Sequence, residues 1–101
     1  MAGQKRQAAY GPAKFVATGL TKHLAIEWAD RGIRVNAVCP GYIETEALAG
    51  MDETVRRSAL SMIPARRFGK PEEVAAAVRF LACSEASYIT GSVLKIDGGI
   101  L

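Results

Sequence analysis

The sequence predicts an α/β fold in which helices connect two short parallel strands. Apolar residues recur with helical spacing in two long segments, two short segments are rich in apolar residues, and glycine or proline stands at the boundaries. The predicted order is helix, strand, small helix, helix and strand, a crossover that gives parallel strands with a right-handed connection. Because two strands make a marginal sheet, we expect oligomerisation, or more of the same protein, to complete it.

The first helix is predicted from about residue 10 to residue 31. Its apolar residues recur at a spacing of four and form one stripe: Val16, Leu20, Leu24 and Trp28. Gly32 follows as the expected C-cap, because glycine readily adopts the left-handed conformation that ends many helices.

The first strand is predicted over residues 33–39, where apolar residues alternate with Arg34 and Asn36. Val38 interrupts the polar side, so both faces of the strand are expected to be partly covered. Pro40 and Gly41 end the strand and begin a loop. We interpret Asn36 as a structural residue whose side chain ties a helix end to a strand.

The remaining elements are marked by proline and acidic residues. Asp52 is the predicted N-cap of a small helix that runs to about Met62, and Pro64 ends it. Pro71 stands at the first position of the next helix, whose apolar stripe is Val74, Val78 and Leu81. Residues 84–91 form a connection, and the second strand is predicted over residues 93–96.

Composition excludes several classes of protein. Half of the 101 residues are hydrophobic and 23% are charged, which is an ordinary globular balance. There is no apolar run long enough to span a membrane and no secretory signal at the start. The net charge of +3 is scattered apart from the doublets 56–57 and 66–67, so we expect neither a membrane nor a nucleic acid as a partner.

Cysteine and histidine are too sparse for a zinc site. Cys39 and Cys83 are far apart in the sequence, and His23 is the single histidine. We therefore expect no metal site, and we interpret both thiols as reduced and buried in a cytoplasmic protein.

Tyr10 and Lys14 stand four residues apart, so on a helix their side chains lie on the same face. A free tyrosine has a pKa of about 10, and a nearby ammonium group lowers that pKa toward neutral pH. The pair therefore suits proton transfer, which is efficient when the pKa lies near the working pH. A pair of this kind is also typical of an ordinary helix surface with a solvated lysine.

Further motifs follow this pair in order. They are Gly32-Ile33-Arg34-Val35-Asn36, Pro40-Gly41-Tyr42-Ile43-Glu44-Thr45, Arg67-Phe68-Gly69-Lys70-Pro71-Glu72-Glu73-Val74, Phe80-Leu81-Ala82, Tyr88-Ile89-Thr90-Gly91 and Asp97-Gly98-Gly99. The set resembles the C-terminal half of a classical short-chain dehydrogenase/reductase, in the branch that includes 3-oxoacyl-acyl-carrier-protein reductases. The resemblance runs from Tyr10 to Gly99, and it implies the C-terminal part of a Rossmann-like, doubly wound parallel sheet.

The resemblance implies catalytic roles for the first pair. Tyr10 would donate a proton to the carbonyl oxygen of the substrate as hydride arrives at the carbon. Lys14 would hold the nicotinamide ribose of NADP or NAD and lower the pKa of Tyr10. Both residues would therefore contact the cofactor.

The loop after the first predicted strand matches the segment that cradles nicotinamide in this family. The matching residues are Pro40, Gly41, Ile43 and Thr45. Ile43 would offer backbone groups to the carboxamide, and Thr45 would contact the carboxamide or a phosphate. The stretch 41–68 would cover the substrate as a lid, and an ordinary pair of surface helices is the alternative.

Other parts of the family's site are missing from the sequence. No glycine-rich G-x-x-x-G-x-G or G-x-G-x-x-G turn for the pyrophosphate is present, and the family's catalytic serine and asparagine would precede Met1. We therefore expect one domain over residues 1–101 that equals the C-terminal half, with the N-terminal dinucleotide-binding half absent. We expect this chain alone to bind cofactor poorly and to show little or no activity, and the choice between NAD and NADP stays open.

Two functions of different kinds fit these observations. The chain is part of an oxidoreductase that reduces a carbonyl, such as a 3-oxoacyl thioester, to an alcohol; sugar-acid and polyol dehydrogenases of the same family are the next resemblance. Alternatively it is a non-catalytic oligomerisation module. The resemblance implies this because the family's subunit interfaces use the long helix that carries the Tyr-Lys pair, the last helix and the last strand. The expected partners are copies of the chain, a full-length family member, or an acyl-carrier protein docking near Arg31.

Overall fold

The computed structural model describes residues 16–100 of the chain. The elements are, in order, α1 (residues 16–28), a 3₁₀ turn (Ala29–Arg31), β1 (Ala37–Pro40), α2 (Glu46–Ala49), α3 (Glu53–Ser61), α4 (Pro71–Ala82), a second 3₁₀ turn (Ser84–Ala86) and β2 (Val93–Ile96). The predicted α/β fold is confirmed.

The two strands are hydrogen-bonded neighbours in one sheet. The N–H of Ala37 donates to the carbonyl of Ser92 at 2.9 Å, and the N–H of Gly41 donates to the carbonyl of Ile96 at 3.0 Å. The separation along the chain is the same for both bonds, so the strands run in the same direction. The predicted parallel pair is therefore confirmed.

The described residues form two compact units. The first unit contains residues 16–37 and Ala86–Leu94, and the second contains Val38–Glu85 and residues 95–100. Each strand begins in the first unit and ends in the second.

The first unit is built on small buried residues. Thr21, Ala25 and Ala86 are its buried side chains among the described residues. The hydroxyl of Thr21 donates to the carbonyl of Ala17 at 2.7 Å, which satisfies a polar group inside the unit. A Cβ on Gly91 would lie 3.4 Å from the Cβ of Ala25, so the connection packs closely against α1.

The predicted apolar stripe of α1 is mostly exposed. Val16 is 67% exposed, Leu20 is 56% exposed and Trp28 is 36% exposed. The close approach of the connection covers the small residues of the helix instead, so helical periodicity located α1 but not its buried face. The helical segment ends at Gly32 as predicted, although its last turn is the 3₁₀ turn: Gly32 caps this turn with φ 73°, and its N–H donates to the Ala29 carbonyl.

The first strand is shorter than predicted. The backbone of Val35, ahead of β1, bonds to the connection instead of forming a ladder, since its N–H donates to the hydroxyl of Thr90 at 3.1 Å. The N–H of Gly91 in turn donates to the carbonyl of Val35 at 2.7 Å.

Asn36 has a structural role in the first unit. Its Nδ2 donates to the carbonyl of Ile89 at 3.0 Å, and its Oδ1 accepts from the N–H of Ser92 at 3.0 Å. The side chain therefore ties the entry of β1 to the connection before β2, whereas the sequence interpretation placed the tie at a helix end.

The second unit has a larger apolar core. Its buried cluster consists of Leu48, Ala59, Ile63 and Phe68, and the half-buried Tyr42, Met51, Leu60 and Ile100 pack against it. The cluster joins α2, α3 and the segment that follows them, so the predicted lid region has a core of its own.

α3 and α4 begin where the sequence predicts. Asp52 stands at the N-cap of α3, although its side chain makes no capping bond. Pro71 is the first residue of α4, and the N–H of Lys70 donates to Oε1 of Glu73 at 2.9 Å. This bond satisfies one backbone donor at the helix start.

Neither Cys39 nor Cys83 is part of a disulfide bond; Cys39 is half-buried and Cys83 is exposed. The prediction of a buried thiol is therefore wrong for Cys83, which follows α4, a helix without a fully buried residue. Within residues 16–100, no helix has the length and apolar character needed to cross a membrane.

Candidate functional site

The predicted site residues divide into two groups. Tyr10 and Lys14 lie outside the described residues. Pro40, Gly41, Ile43 and Thr45 lie within the second unit, in one continuous segment that begins at the end of β1 and ends at the start of α2. We refer to residues 40–45 as the site loop.

The site loop leaves the sheet at Gly41, whose N–H donates to the carbonyl of Ile96 at 3.0 Å. A Cβ on Gly41 would lie 2.8 Å from the Cβ of Asp97 and 3.0 Å from its Cα. Only glycine permits this approach without a shift of backbone, so the residue fixes the path of the loop beside the end of β2.

The middle of the loop is held by a parallel bridge between Ile43 and Gly69. The N–H of Gly69 donates to the carbonyl of Tyr42 at 2.9 Å, and the N–H of Glu44 donates to the carbonyl of Gly69 at 2.8 Å. Gly69 makes both bonds of this parallel bridge, and in such a bridge the N–H and C=O of the residue paired with it point away from it. The peptide groups of Ile43 therefore face away from Gly69.

The end of the loop is the N-cap of α2. The side-chain oxygen of Thr45 accepts from the N–H of Leu48 at 3.4 Å. Since a hydroxyl is both a donor and an acceptor, this bond leaves the O–H of Thr45 able to donate to another group. Thr45 is exposed, so that donor is accessible.

Arg56 of α3 contacts the loop, which the sequence analysis did not predict. Its Nη2 lies 2.7 Å from Oε2 of Glu44, and its Nη1 donates to the carbonyl of Leu48 at 3.0 Å. Its guanidinium carbon lies 4.8 Å from the centre of the Phe68 ring, within the range of a cation–π contact. In the sequence Arg56 is only one half of a basic doublet, and no local signal pairs it with Glu44.

This ion pair sets the electrostatics of the loop. The hydrogen bond from Arg56 holds the pKa of Glu44 below its ordinary value, and its positive charge acts in the same direction. The bond to Glu44 likewise raises the pKa of Arg56. Both groups therefore stay charged across the neutral range.

A second ion pair borders a shallow cleft in the same unit. Nη1 and Nη2 of Arg67 donate to the two carboxylate oxygens of Glu73 at 2.8 and 2.9 Å. The cleft has a volume of about 240 Å³ and also reaches Gly69 and the turn at residues 97–99. Gly69 thus belongs to both the bridge of the site loop and the wall of the cleft.

The basic doublets do not present a row of free cations. Arg56 and Arg67 pair with carboxylates, and Arg57 lies 3.8 Å from Glu53. Arg66 donates to the carbonyl of Ser61 at 2.8 Å. In the part of the chain that the structure describes, no three His, Cys, Asp or Glu side chains cluster as a metal site would require.

A family model described as enoyl-(acyl carrier protein) reductase, one of the short-chain dehydrogenase/reductase models, matches residues 1–101. The chain belongs to the short-chain dehydrogenase/reductase family, whose members are NAD(P)-dependent oxidoreductases. The resemblance that the motifs indicate is thereby confirmed.

Relatives with reductase names match nearly the whole chain. The 3-oxoacyl-(acyl-carrier-protein) reductase FabG of Thermotoga maritima is 52% identical over 99 residues, and that of Vibrio cholerae is 46% identical over 98 residues. The acetoacetyl-CoA reductase of Allochromatium vinosum is 46% identical over 98 residues. These matches cover 97–98% of this chain but only 40% of each relative, so the chain spans less than half the length of the relatives it matches.

Proposed function

We propose that this chain is the C-terminal part of an NAD(P)(H)-dependent reductase that converts a carbonyl, in a 3-oxoacyl thioester or a similar substrate, into an alcohol. The observation that carries the proposal is the site loop, in which a bridge turns the peptide groups of Ile43 to one side and a cap leaves the hydroxyl of Thr45 accessible. Two of the relatives are 3-oxoacyl-(acyl-carrier-protein) reductases by name and one is an acetoacetyl-CoA reductase, which supports this substrate class.

The site loop fits the amide end of a nicotinamide. A carboxamide has one carbonyl acceptor and one amino donor, and a peptide unit offers the complementary pair. The N–H and C=O of Ile43 would bind this carboxamide, and the O–H of Thr45 would donate to it or to a phosphate oxygen. Pro40 and Gly41 set the direction in which the loop leaves β1.

Tyr10 and Lys14 would supply the proton chemistry. When bound, the reduced nicotinamide supplies the hydride that converts the carbonyl carbon into an alcohol carbon. Tyr10 would donate its phenolic proton to the carbonyl oxygen, and Lys14 would stabilise the phenolate that remains. Lys14 would also hold the ribose, which fixes the cofactor relative to Tyr10.

The stretch 41–68 would cover the substrate. It contains α2 and α3 and a buried cluster of its own, so it has the packing of an ordered cover rather than of a loose loop. A closed cover excludes water and so strengthens the interactions that stabilise the charge developing on the carbonyl oxygen.

We propose that these 101 residues by themselves show little or no turnover. Their sequence contains no glycine-rich pyrophosphate turn, and positioning of the hydride donor supplies several kcal/mol of barrier reduction. The acid–base pair and the site loop would then act together with residues that this sequence does not contain.

A second candidate function is assembly without catalysis. Val78 and Phe80 on α4 are 48% and 47% exposed, and Val16 and Leu20 on α1 are more exposed still. Exposed apolar side chains of this kind favour association with further copies of the chain, with a full-length family member or with an acyl-carrier protein.

Calorimetric titration and light scattering distinguish the two. NADPH and then NADH are titrated into the chain alone and into the chain mixed with the remaining N-terminal residues of the Thermotoga relative. Cofactor binding that appears only in the mixture supports the reductase. A stable homo-oligomer that binds no cofactor in either sample supports the assembly module and contradicts the reductase.

A further inference from the structure

The Arg56 side chain connects three segments that are separate in the sequence. Its guanidinium donates to Glu44 in the site loop and to the carbonyl of Leu48 in α2, and it lies over the ring of Phe68. Phe68 directly precedes Gly69, the bridge partner of the loop. One cation thus contacts both the loop and the segment to which the loop is bridged.

The contacts of Arg56 restrain the loop at a different point from the bridge. The bridge holds the backbone through Gly69, whereas Arg56 holds the side chain of Glu44 at 2.7 Å. A planar guanidinium can donate in two directions at once, and here one nitrogen bonds Glu44 while the other bonds Leu48. A lysine in its place has one nitrogen and cannot reproduce this fork.

Local burial makes the contact more than a surface ion pair. The side chain of Arg56 is 27% exposed and that of Glu44 is 42% exposed. The side chains of Arg57 and Glu53, which form another ion pair on α3, are 80% and 75% exposed. Phe68, under the guanidinium, is only 6% exposed and belongs to the core cluster. The clamp therefore rests on the best-packed part of the second unit.

We propose that Arg56 is a positioning residue that holds the site loop in its cofactor-ready conformation by clamping Glu44 to α2 and to the core. This inference rests on the proposed function for its meaning, because the loop would seat the nicotinamide. The clamp itself is a property of the described residues and needs no cofactor to be tested.

Amide hydrogen exchange measured by NMR on the 101-residue chain tests the clamp. The informative donors are the N–H groups of Glu44 and Gly69, which form the two bonds of the bridge. Arg56→Met should raise exchange at these two amides by roughly tenfold or more, while the amide of Ile63 in the core keeps its protection. Arg56→Lys should restore part of the protection, because it keeps the charge but loses the fork.

Matched variants exclude a general loss of stability. Arg57→Met removes the neighbouring exposed arginine and should leave both amides unchanged. Glu44→Gln removes the charge of the loop residue and leaves Arg56 in place, so it remains informative if Arg56→Met does not fold. It should raise exchange at the amides of residue 44 and Gly69. Exchange that stays within about twofold of the wild type in both Arg56→Met and Glu44→Gln, or that rises equally at every amide, overturns the proposal. Failure of the proposed function would leave this result intact, because no cofactor enters the measurement.

Discussion

The two units of the described chain are stabilised by different means. The first unit buries only small side chains and joins β1 to the connection before β2 through polar bonds of Asn36. The second unit buries Ile63 and Phe68 in an apolar cluster, and Arg56 adds a charged clamp above it. Large apolar side chains of the first unit, such as Leu20, are exposed instead.

This difference explains why the site loop belongs to the second unit. A loop that positions a ligand needs neighbours that do not move, and a core of large side chains supplies them. The exposed apolar side chains that the assembly proposal requires lie in both units, on α1 of the first and on α4 of the second.

The largest effect is expected from the core of the second unit. Phe68→Ala removes a ring that packs in the cluster, contacts Tyr42 at 5.9 Å between centroids and lies under Arg56. We expect it to lower the free energy of unfolding by about 3–5 kcal/mol, measured by urea denaturation. Leu20→Ala is the control in the first unit and should stay within about 0.5 kcal/mol of wild type. Equal losses in both variants would remove the contrast between the units.

Two glycines provide the next contrast. Gly41→Ala would place a Cβ 2.8 Å from the Cβ of Asp97, and we expect a loss of about 1–3 kcal/mol because backbone must shift. Gly19→Ala lies on α1 with nothing within 4 Å of the added atom and should stabilise the chain by about 0.5–1 kcal/mol. Thermal denaturation measures the change in stability of both variants. A Gly41→Ala protein as stable as wild type would refute the described loop path.

The polar tie of the first unit should contribute less. Asn36→Ala removes the bonds to Ile89 and Ser92 and should cost about 1–2 kcal/mol in urea denaturation. Asn36→Asp keeps the acceptor for Ser92 but sets a carboxylate oxygen against the carbonyl of Ile89, so its loss should be at least as large. An alanine variant with unchanged stability would show that the tie is not part of what stabilises this unit.

The smallest effect concerns acid stability. The hydrogen bond from Arg67 lowers the pKa of Glu73 from its ordinary 4.5 to about 2. A carboxylate with a lowered pKa stabilises the fold above its unfolded-state pKa, and this contribution is lost as the pH falls from about 4.5 to about 2. Glu73→Gln should therefore flatten the pH dependence of unfolding in that window. Glu72→Gln, on the same helical turn, should keep the wild-type slope, and an identical slope in both variants would contradict the assignment.

Local signals in the sequence were sufficient for much of the fold. Pro71 and the acidic residues after it predicted the start of α4, and Gly32 predicted the end of the first helical segment. The second strand also has its predicted bounds, because a short, largely apolar segment stands between glycine-containing turns. These features depend on residues next to one another in the chain, so they can be predicted without tertiary contacts.

The features that were missed depend on contacts between distant residues. The exposed stripe of α1 follows from the close packing of the connection at Gly91, which helical periodicity cannot show. The short β1 follows from bonds to the same connection. Motifs predicted the site loop. Its restraint by Arg56 depends on tertiary contacts of this α3 residue with Glu44, Leu48 and Phe68, which no local sequence pattern indicates.

The most direct test of the central claim is turnover by a chimera in which this chain replaces the matching residues of the Thermotoga FabG relative. We expect NADPH- or NADH-dependent reduction of a 3-oxoacyl thioester, with Tyr10→Phe lowering kcat by roughly 10²–10⁴-fold. Tyr88→Phe, at a fully exposed tyrosine, should leave kcat unchanged. A folded chimera that binds cofactor but does not reduce the substrate, or that works equally well with Tyr10→Phe, would contradict the central claim.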